Sequence, residues 1–250
     1  MLLLGPAWSR LANVLIYLPL TLLLFRIPFT GHTRHGAPAP VARSLVPRDT
    51  LTVLREARSE RRIVAMIALA GVTSFFVGSG FQPQMPEYAY DLGAGQADVW
   101  YSVLLAANAA GALVGALALE SLDVLRPSPR PAIVCAAAWA LAMGLFAAAP
   151  NYAVAVTLLV LAGMLNITFT SMAQTLVQVL APPALRGRLV GLFNASMLGP
   201  RVGSGVAVGV LGAALGVHGS LALSSAAVVL IALGLLAREP GRLDVGSRRP

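Results

Sequence analysis

Apolar runs of membrane-helix length alternate along the chain with short breaks that carry most of its charge. An α-helix needs roughly 20 apolar residues to cross the hydrocarbon layer of a membrane. We therefore predict seven transmembrane helices, one for each run. They lie at about 11–25, 63–81, 99–119, 132–149, 153–179, 189–215 and 221–237.

The first run is also compatible with a cleaved signal peptide. However, only Arg10 precedes it as a basic residue, the run contains Asn13 and Pro19, and Arg26 follows directly. A signal peptide has a basic start and an uninterrupted apolar centre, so these features favour a retained helix. The chain then divides into a helix at 1–25, a cytoplasmic linker with an amphipathic helix or a solvated loop at 26–62, a six-helix bundle at 63–237 and a cytoplasmic tail at 238–250.

Two of the predicted helices carry small and polar residues along one face. Residues at spacings of three, four or seven share a face of a helix. In the fifth helix these residues are Asn166, Thr170, Gln174 and Gln178. In the sixth helix they are Gly191, Asn194, Arg201, Gly205, Gly209, Gly212 and Gly216, with Leu198 as the one large apolar member. Polar inner faces within apolar sequence indicate a membrane protein that moves something across the bilayer.

The composition agrees with a protein embedded in a lipid bilayer. Of the 250 residues, 57% are hydrophobic and 11% are charged, whereas a soluble domain carries about 25% charge. The net charge of +8 is compatible with nucleic-acid binding, but the arginines lie between the apolar runs and form no basic domain. We therefore expect no nucleic-acid partner. The single cysteine, Cys135, lies within an apolar run, so we expect neither an intrachain disulfide nor a metal or cofactor site.

Arginine occurs in every second break between the apolar runs and is absent from the others. It occurs at 26–62, 120–131 and 181–188 and in the tail, whereas the break at 82–98 holds three carboxylates and no arginine. Basic residues that flank membrane helices stay in the cytoplasm. This pattern predicts a multi-pass protein of the cell membrane, with its N-terminus outside and its C-terminus in the cytoplasm.

Arg201 is the foremost candidate for a functional residue. It lies thirteen residues after Arg188, which is about 20 Å along a helix and hence near the middle of the membrane. An arginine at that depth is costly and faces the bundle interior or a cavity. Either it contacts an anion or a substrate, or helix carbonyls and polar neighbours satisfy it.

Four further polar residues are candidates for lining the same cavity, although they are equally suited to bonding neighbouring helices. They are Asn194, Asn166, Thr170 and Asn108. Glycines are expected to permit close contact between helices instead. The glycines to which we assign this packing role are Gly111, Gly115, Gly205 and Gly209.

We find no residue pattern typical of an enzyme. Rhomboid-like proteases use Gly-x-Ser-Gly, but Ser79 and Ser204 are preceded two positions earlier by Val77 and Val202. The chain has three histidines and no metal-ligand spacing, and His218 lies in a turn where we expect it to be incidental. We therefore expect no catalytic residue.

The break at 181–188, with its flanking helices, resembles the loop between the tenth and eleventh helices of major facilitator superfamily transporters. The residues that carry this resemblance are Gln174, Gln178, Pro182, Arg186, Gly187, Arg188 and Gly191. The segments 199–205 and 218–224 are similar to the enterobactin-exporter-like branch, also called transmembrane secretion effectors, and 13–19 resembles the sixth helix of that branch. Between the third and fourth helices the chain departs from the family, because only Gly115, Asp123 and Arg126 remain of its Gly/Asp/Arg-Arg gating motif.

The resemblance implies an all-α membrane fold in which this chain supplies helix six and the C-terminal six-helix bundle of a twelve-helix transporter. Such transporters bind substrate between two halves that rock against each other. An N-terminal half, supplied by a full-length chain or by another chain, is therefore an expected partner besides the lipid bilayer and a small-molecule substrate.

The resemblance also implies export of a small organic molecule, such as a siderophore or a drug. It also implies that the arginines of the break at 181–188 belong to a cytoplasmic gate. The alternative is that they only anchor the helices at the membrane surface. The gate residues would be Arg186, Gly187, Arg188 and Gln178. A remnant that transports nothing, or a subunit that needs a partner half, is the alternative function.

Overall fold

The structure is a computed structural model that describes residues 60–78, 80–94, 98–122, 128–183 and 185–239, together with 15, 18–19, 21–23 and 26. The chain forms two compact units, Met1–Pro47 and Arg48–Pro250. In the first unit the described residues are all helical and fall at the predicted first helix, except Arg26, which directly follows it. The amphipathic helix predicted in the linker and the tail beyond 239 lie outside the described residues.

In its described part, the second unit consists of helices and turns and contains no strand. A short 3₁₀ turn at Gln82–Gln84 and a π-helical turn at Tyr90–Ala94 flank a short helix at Met85–Ala89. The α-helices are α1 (Arg61–Phe76), α2 (Met85–Ala89), α3 (Asp98–Leu122), α4 (Pro129–Ala147), α5 (Tyr152–Leu180), α6 (Arg186–Leu198) and α7 (Arg201–Arg238).

The starts of α4 and α5 follow from their first residues. Pro129 opens α4, where its fixed φ suits a helix and its missing N–H is not needed. Asn151 caps α5, because its side-chain oxygen accepts a hydrogen bond from the Val154 N–H at 3.0 Å. The connection between α4 and α5 is therefore short, and the two helices pack side by side.

Four of the described helical stretches are long and apolar enough to cross a membrane. They are Val99–Glu120, Pro129–Ala147, Tyr152–Leu180 and Val210–Arg238, and they match the third, fourth, fifth and seventh predicted spans. Helix α1, with 16 residues, is shorter than the roughly 20 residues of a typical span. The total of seven spans stays a prediction.

The sixth predicted span is divided into two helices at Gly199 and Pro200, where the sequence suggested one helix over 189–215. Pro200 has no N–H, so it cannot bond to the carbonyl four residues earlier. The next carbonyl, that of Met197, is bonded from another helix: the Ser74 hydroxyl of α1 donates to it at 2.7 Å. The break is therefore stabilised by a contact between α1 and α6.

A second interruption lies within α7, at Gly216. Its φ of 72° and ψ of 171° fall in a region that is essentially restricted to glycine. A Cβ atom at Gly216 would meet no atom within 4 Å, so the restriction comes from the backbone and not from crowding. The interruption coincides with the predicted end of the sixth span.

Helix α5 is the centre of the bundle. It packs along α3 and α4 and also contacts α1 and α6, while α4 packs along α7. At the crossing of α3 and α5, a Cβ atom at Gly111 would overlap the Val160 carbonyl oxygen, and one at Gly163 would overlap the Asn108 carbonyl oxygen. A Cβ atom at Gly115 would lie 2.8 Å from the Ile167 side chain. The two backbones approach closely because these glycines lack side chains.

The apolar core consists of two clusters at opposite ends of the bundle. The first cluster joins the start of α1, the start of α4, the end of α5 and helix α6. The second joins the end of α1, helix α2, the end of α4 and the start of α5. Each of α1, α4 and α5 therefore passes from one cluster to the other at mid-length.

Candidate functional site

A polar cavity of about 100 Å³ lies where the two apolar clusters meet. Its wall is built by six helices and by the turns after α1. Asn166 is at the midpoint of α5, and Arg201 is the first residue of α7, directly after the break at Pro200. The lining residues are Thr73, Ser74, Gly78, Phe81, Gln82, Asn108, Trp139, Asn166, Met197 and Arg201.

The cavity brings together three of the five residues that the sequence suggested for substrate contact. Asn108, Asn166 and Arg201 come from α3, α5 and α7, and all three line its wall. Asn194 is exposed on α6 and is not part of the wall. The Thr170 hydroxyl donates to the Asn166 carbonyl at 3.0 Å, within its own helix. A role for these five residues in binding substrate stays a prediction.

Three of the polar side chains in the wall bond to backbone carbonyls. The Thr73 hydroxyl donates to the Ala70 carbonyl at 3.0 Å within α1, and Ser74 bonds to α6 as described above. The Asn108 amide nitrogen donates to the Leu159 carbonyl of α5 at 3.3 Å. The bonds of Ser74 and Asn108 join neighbouring helices of the wall, whereas that of Thr73 stays within α1.

Arg201 and Asn166 are among the polar groups of the wall that are left for a ligand. Among the residues that the structure describes, none forms an ion pair or a hydrogen bond with the Arg201 guanidinium or with the Asn166 amide. A guanidinium carries five N–H donors and a permanent charge. The cavity is therefore chemically suited to an anionic or hydrogen-bond-accepting group.

The surface around Arg201 combines charge with exposed apolar side chains. Arg201 is itself exposed, and the neighbouring Leu198 and Val202 are 60% and 82% exposed. Lipid would suit the leucine and the valine, whereas an arginine within a membrane needs a polar or charged environment. This face of the bundle thus combines exposed apolar side chains with a permanent positive charge.

Several residues of the wall were not singled out from the sequence. Thr73 and Ser74 form a polar pair within an apolar run, which was the one available indication of their position. Trp139 is 4% exposed and packs with the second cluster. It was not singled out because an aromatic residue in an apolar run is typical of the core. Gly163, which lies at the crossing of α3 and α5 and not in the wall, was also missed, because a single glycine in a long apolar run is compatible with many roles.

The four predicted gate residues lie together at one end of the bundle. Gln178 is in the last turn of α5, and Arg186, Gly187 and Arg188 open α6; all four are exposed. They are close because they are near in sequence, and their role as a gate stays a prediction. Gly205 and Gly209 lie in α7, but their surroundings are outside the described residues.

The same end of the bundle carries most of the positive charge. In the second unit, the described arginines other than Arg201 all lie there, at the starts of α1, α4 and α6 and at the end of α7. The Arg130 guanidinium donates to the Glu239 carbonyl at 3.0 Å, which joins the start of α4 to the end of α7. The bundle is thus electrically asymmetric along its axis.

Apolar helices of membrane-spanning length around a polar cavity at mid-length define a membrane transport protein. The sequence matches the family model of the Major Facilitator Superfamily over residues 1–208, and the chain belongs to this superfamily. It is thus a major facilitator-type transporter protein with an all-α, multi-pass membrane fold. A search of curated proteins found no match. The predicted superfamily is confirmed, and the exporter-like branch stays a prediction.

Proposed function

We propose that the protein exports a small organic molecule across the cell membrane, and that this chain contributes helix six and the C-terminal bundle of the transporter. The observation that carries the proposal is the Arg201 guanidinium on the wall of a cavity at mid-length, without an anionic partner among the described residues. Major facilitator transporters bind substrate at this depth.

The charge of Arg201 favours a substrate with an anionic group. A cationic side chain within a membrane domain is costly unless a counter-charge or polar groups surround it. An anionic substrate supplies that counter-charge, and the amide of Asn166 adds a hydrogen-bond donor on the same wall. The cavity of about 100 Å³ is smaller than the 300–1,000 Å³ of a typical ligand pocket, so it accommodates one end of the substrate.

The rest of the substrate would lie on the exposed face that carries Arg201. In a transporter of two halves, that face meets the other half and encloses the binding site. We therefore propose that a second helical bundle covers Leu198, Arg201 and Val202, from the same polypeptide or from another one. The exposure of this apolar surface beside an arginine supports the arrangement.

We further propose that the arginine-rich end of the bundle lies in the cytoplasm. Basic residues next to membrane helices are retained on that side, and the arginines at the starts of α4 and α6 lie at this end. Export then means that the cavity receives its substrate from the arginine-rich side and releases it at the side of Glu87 and Asp91.

Transport into inverted membrane vesicles, prepared from cells that express the complete transporter, tests the proposal. A panel of labelled organic carboxylates is offered, and uptake by the wild type is compared with uptake by Arg201→Ala and Arg201→Lys. A charge-assisted hydrogen bond contributes about 1.5–3 kcal/mol, so R201A should lower uptake by roughly tenfold or more. R201K should retain part of the uptake because it keeps the charge.

Arg61→Ala is the matched control, because it removes an exposed arginine from the end of the bundle and leaves the cavity intact. Its uptake should equal that of the wild type. Protease added to the same vesicles should remove a tag placed after Pro250, since the C-terminus then faces the medium. Equal uptake by R201A and wild type would exclude a substrate role of Arg201, and a protected tag would exclude the proposed orientation.

A further inference from the structure

At the end of the bundle opposite the arginines, His218 contacts three separate elements. It lies two residues after the interruption at Gly216. Its Nδ1 is 2.6 Å from the carbonyl oxygen of Ala147, the last residue of α4. Its Nε2 is 3.0 Å from Oδ2 of Asp91, in the π-helical turn. The histidine thus links the start of the last helical segment to two neighbouring elements.

The two contacts of His218 determine where a proton must lie. A carbonyl oxygen only accepts hydrogen bonds, so Nδ1 carries a hydrogen and donates to Ala147. In a neutral imidazole Nε2 then has a lone pair, which would face the Asp91 carboxylate without a hydrogen between them. The distance of 3.0 Å is that of a hydrogen bond, and the bond needs one additional proton on the pair.

Tyr88 fixes the position of the imidazole from the side. Its ring meets the His218 ring edge to face with centroids 4.6 Å apart, and its hydroxyl donates to the Val217 carbonyl at 3.1 Å. Burial raises the pKa of Tyr88, and the charges of Glu87 and Asp91 raise it further. Tyr88 therefore stays protonated and remains a donor over the range in which histidine titrates.

We propose that His218 and Asp91 form a proton-binding site, and that the bound proton holds the Gly216 turn against α4 and the 90–94 turn. At acidic pH the imidazolium donates to both Ala147 and Asp91. Once the extra proton leaves, a lone pair of Nε2 faces the carboxylate and the hydrogen bond to Asp91 is lost. The link is therefore present at low pH and is lost as pH rises.

The surroundings of the pair make its titration simple to assign. The ionisable groups nearest to it are Tyr88, whose ring meets that of His218, and Glu87, whose charge acts on Tyr88. Among the described residues, α4 contacts the pair through the Ala147 carbonyl, and no arginine lies at this end. Both side chains are partly exposed, at 40% and 44%, so protons reach them from the aqueous phase. The site is independent of the export proposal.

Thermal unfolding of the complete protein in detergent, followed between about pH 5.5 and about pH 8, tests the site. An asparagine at position 91 can bond to a neutral imidazole. The unfolding temperature of the Asp91→Asn variant should therefore contain no pH-dependent contribution from the pair. The unfolding temperature of the wild type relative to that of D91N should therefore fall by roughly 2 °C as the pH rises over this range. His218→Gln should lose the same pH-dependent part.

Two control variants separate this site from other titrating groups. Glu87→Gln removes the neighbouring carboxylate, and a double variant of His32 and His35 removes the other two histidines of the chain; both should follow the wild-type pH profile. A D91N or H218Q protein with the wild-type pH profile would overturn the proposal. So would an E87Q protein that loses the pH dependence. Transport is not measured, so the outcome is separate from that of the vesicle experiment.

Discussion

Ser74 shows how a single hydroxyl compensates for a proline in a neighbouring helix. The Met197 carbonyl lies just before the break at Pro200 and receives the Ser74 hydroxyl at 2.7 Å. In the described structure no backbone N–H of the following helix bonds to this carbonyl. A buried carbonyl without a donor is costly, so the serine stabilises both the break and the position of Arg201 just after it.

We therefore expect Ser74→Ala to lower the free energy of unfolding by about 1–2 kcal/mol. In a Pro200→Ala background the helix can continue, and the Arg201 N–H becomes available to the Met197 carbonyl. The Ser74→Ala change should then lower the free energy of unfolding by less. Equilibrium unfolding in detergent of the two single variants and the double variant measures this coupling. Thr157→Ala is the control, since the Thr157 hydroxyl is exposed and bonds within its own helix at 2.9 Å. Equal effects of S74A in both backgrounds would contradict the explanation.

The sequence predicted which polar residues share a face of their own helix, but it did not predict how those faces combine into a cavity. The four-residue spacing of Asn166, Thr170 and Gln174 defines a face of α5, but it does not say which neighbouring helix that face meets. The structure places Asn166 in the cavity wall and leaves the Thr170 hydroxyl bonded within α5. The position of Asn194 relative to Arg201 was not predictable either, because the break at Pro200 separates α6 from α7 and a continuous helix would have placed both residues on one face.

At the scale of elements, the crossing of α3 and α5 depends on glycines from both helices. Gly111 and Gly115 were identified from the sequence as packing residues, and the structure places both against the backbone or side chains of α5. Gly163 lies on the facing side of the same crossing, against the Asn108 carbonyl. Sequence reasoning finds small residues on one helix but cannot pair them with their counterparts on another.

We expect Gly163→Ala to destabilise the bundle by about 1–3 kcal/mol, because its methyl group would force α3 and α5 apart. Gly234→Ala is the matched control, since it lies within α7 and its Cβ atom would meet nothing within 4 Å. That change should be neutral or stabilising by about 0.5–1 kcal/mol, as alanine favours a helix over glycine. Thermal unfolding of both variants in the same detergent measures the difference, and a neutral G163A would show that the crossing is adjustable.

At the scale of the whole molecule, the proposed second bundle has a direct physical consequence for the assembled protein. The exposed strip with Leu198, Arg201 and Val202 is expected to be buried in the membrane-embedded assembly. Two six-helix halves of similar size make up a transporter of this type. The chain has a mass of 25.9 kDa, so the native assembly should have about twice that protein mass.

Native mass spectrometry of the protein extracted from its own membranes measures this value. An additional denaturing step then shows whether the two halves belong to one polypeptide or to two. A native species of 25.9 kDa alone would contradict a covering bundle and would favour a protein that transports nothing. A Val202→Cys variant should in that case react with a thiol reagent dissolved in the lipid phase, which a covering bundle would prevent.

The division of the apolar core into two clusters has a mechanical consequence. A continuous core resists bending because any shift disturbs packing along its full length. Here α1, α4 and α5 each cross a polar layer at mid-length, where a small number of hydrogen bonds, such as those of Ser74 and Asn108, replace close apolar packing. Each end of the bundle is stabilised by its own set of contacts, so one end can loosen while the other stays packed. We therefore expect the bundle to bend at the polar layer, where the cavity of about 100 Å³ lies.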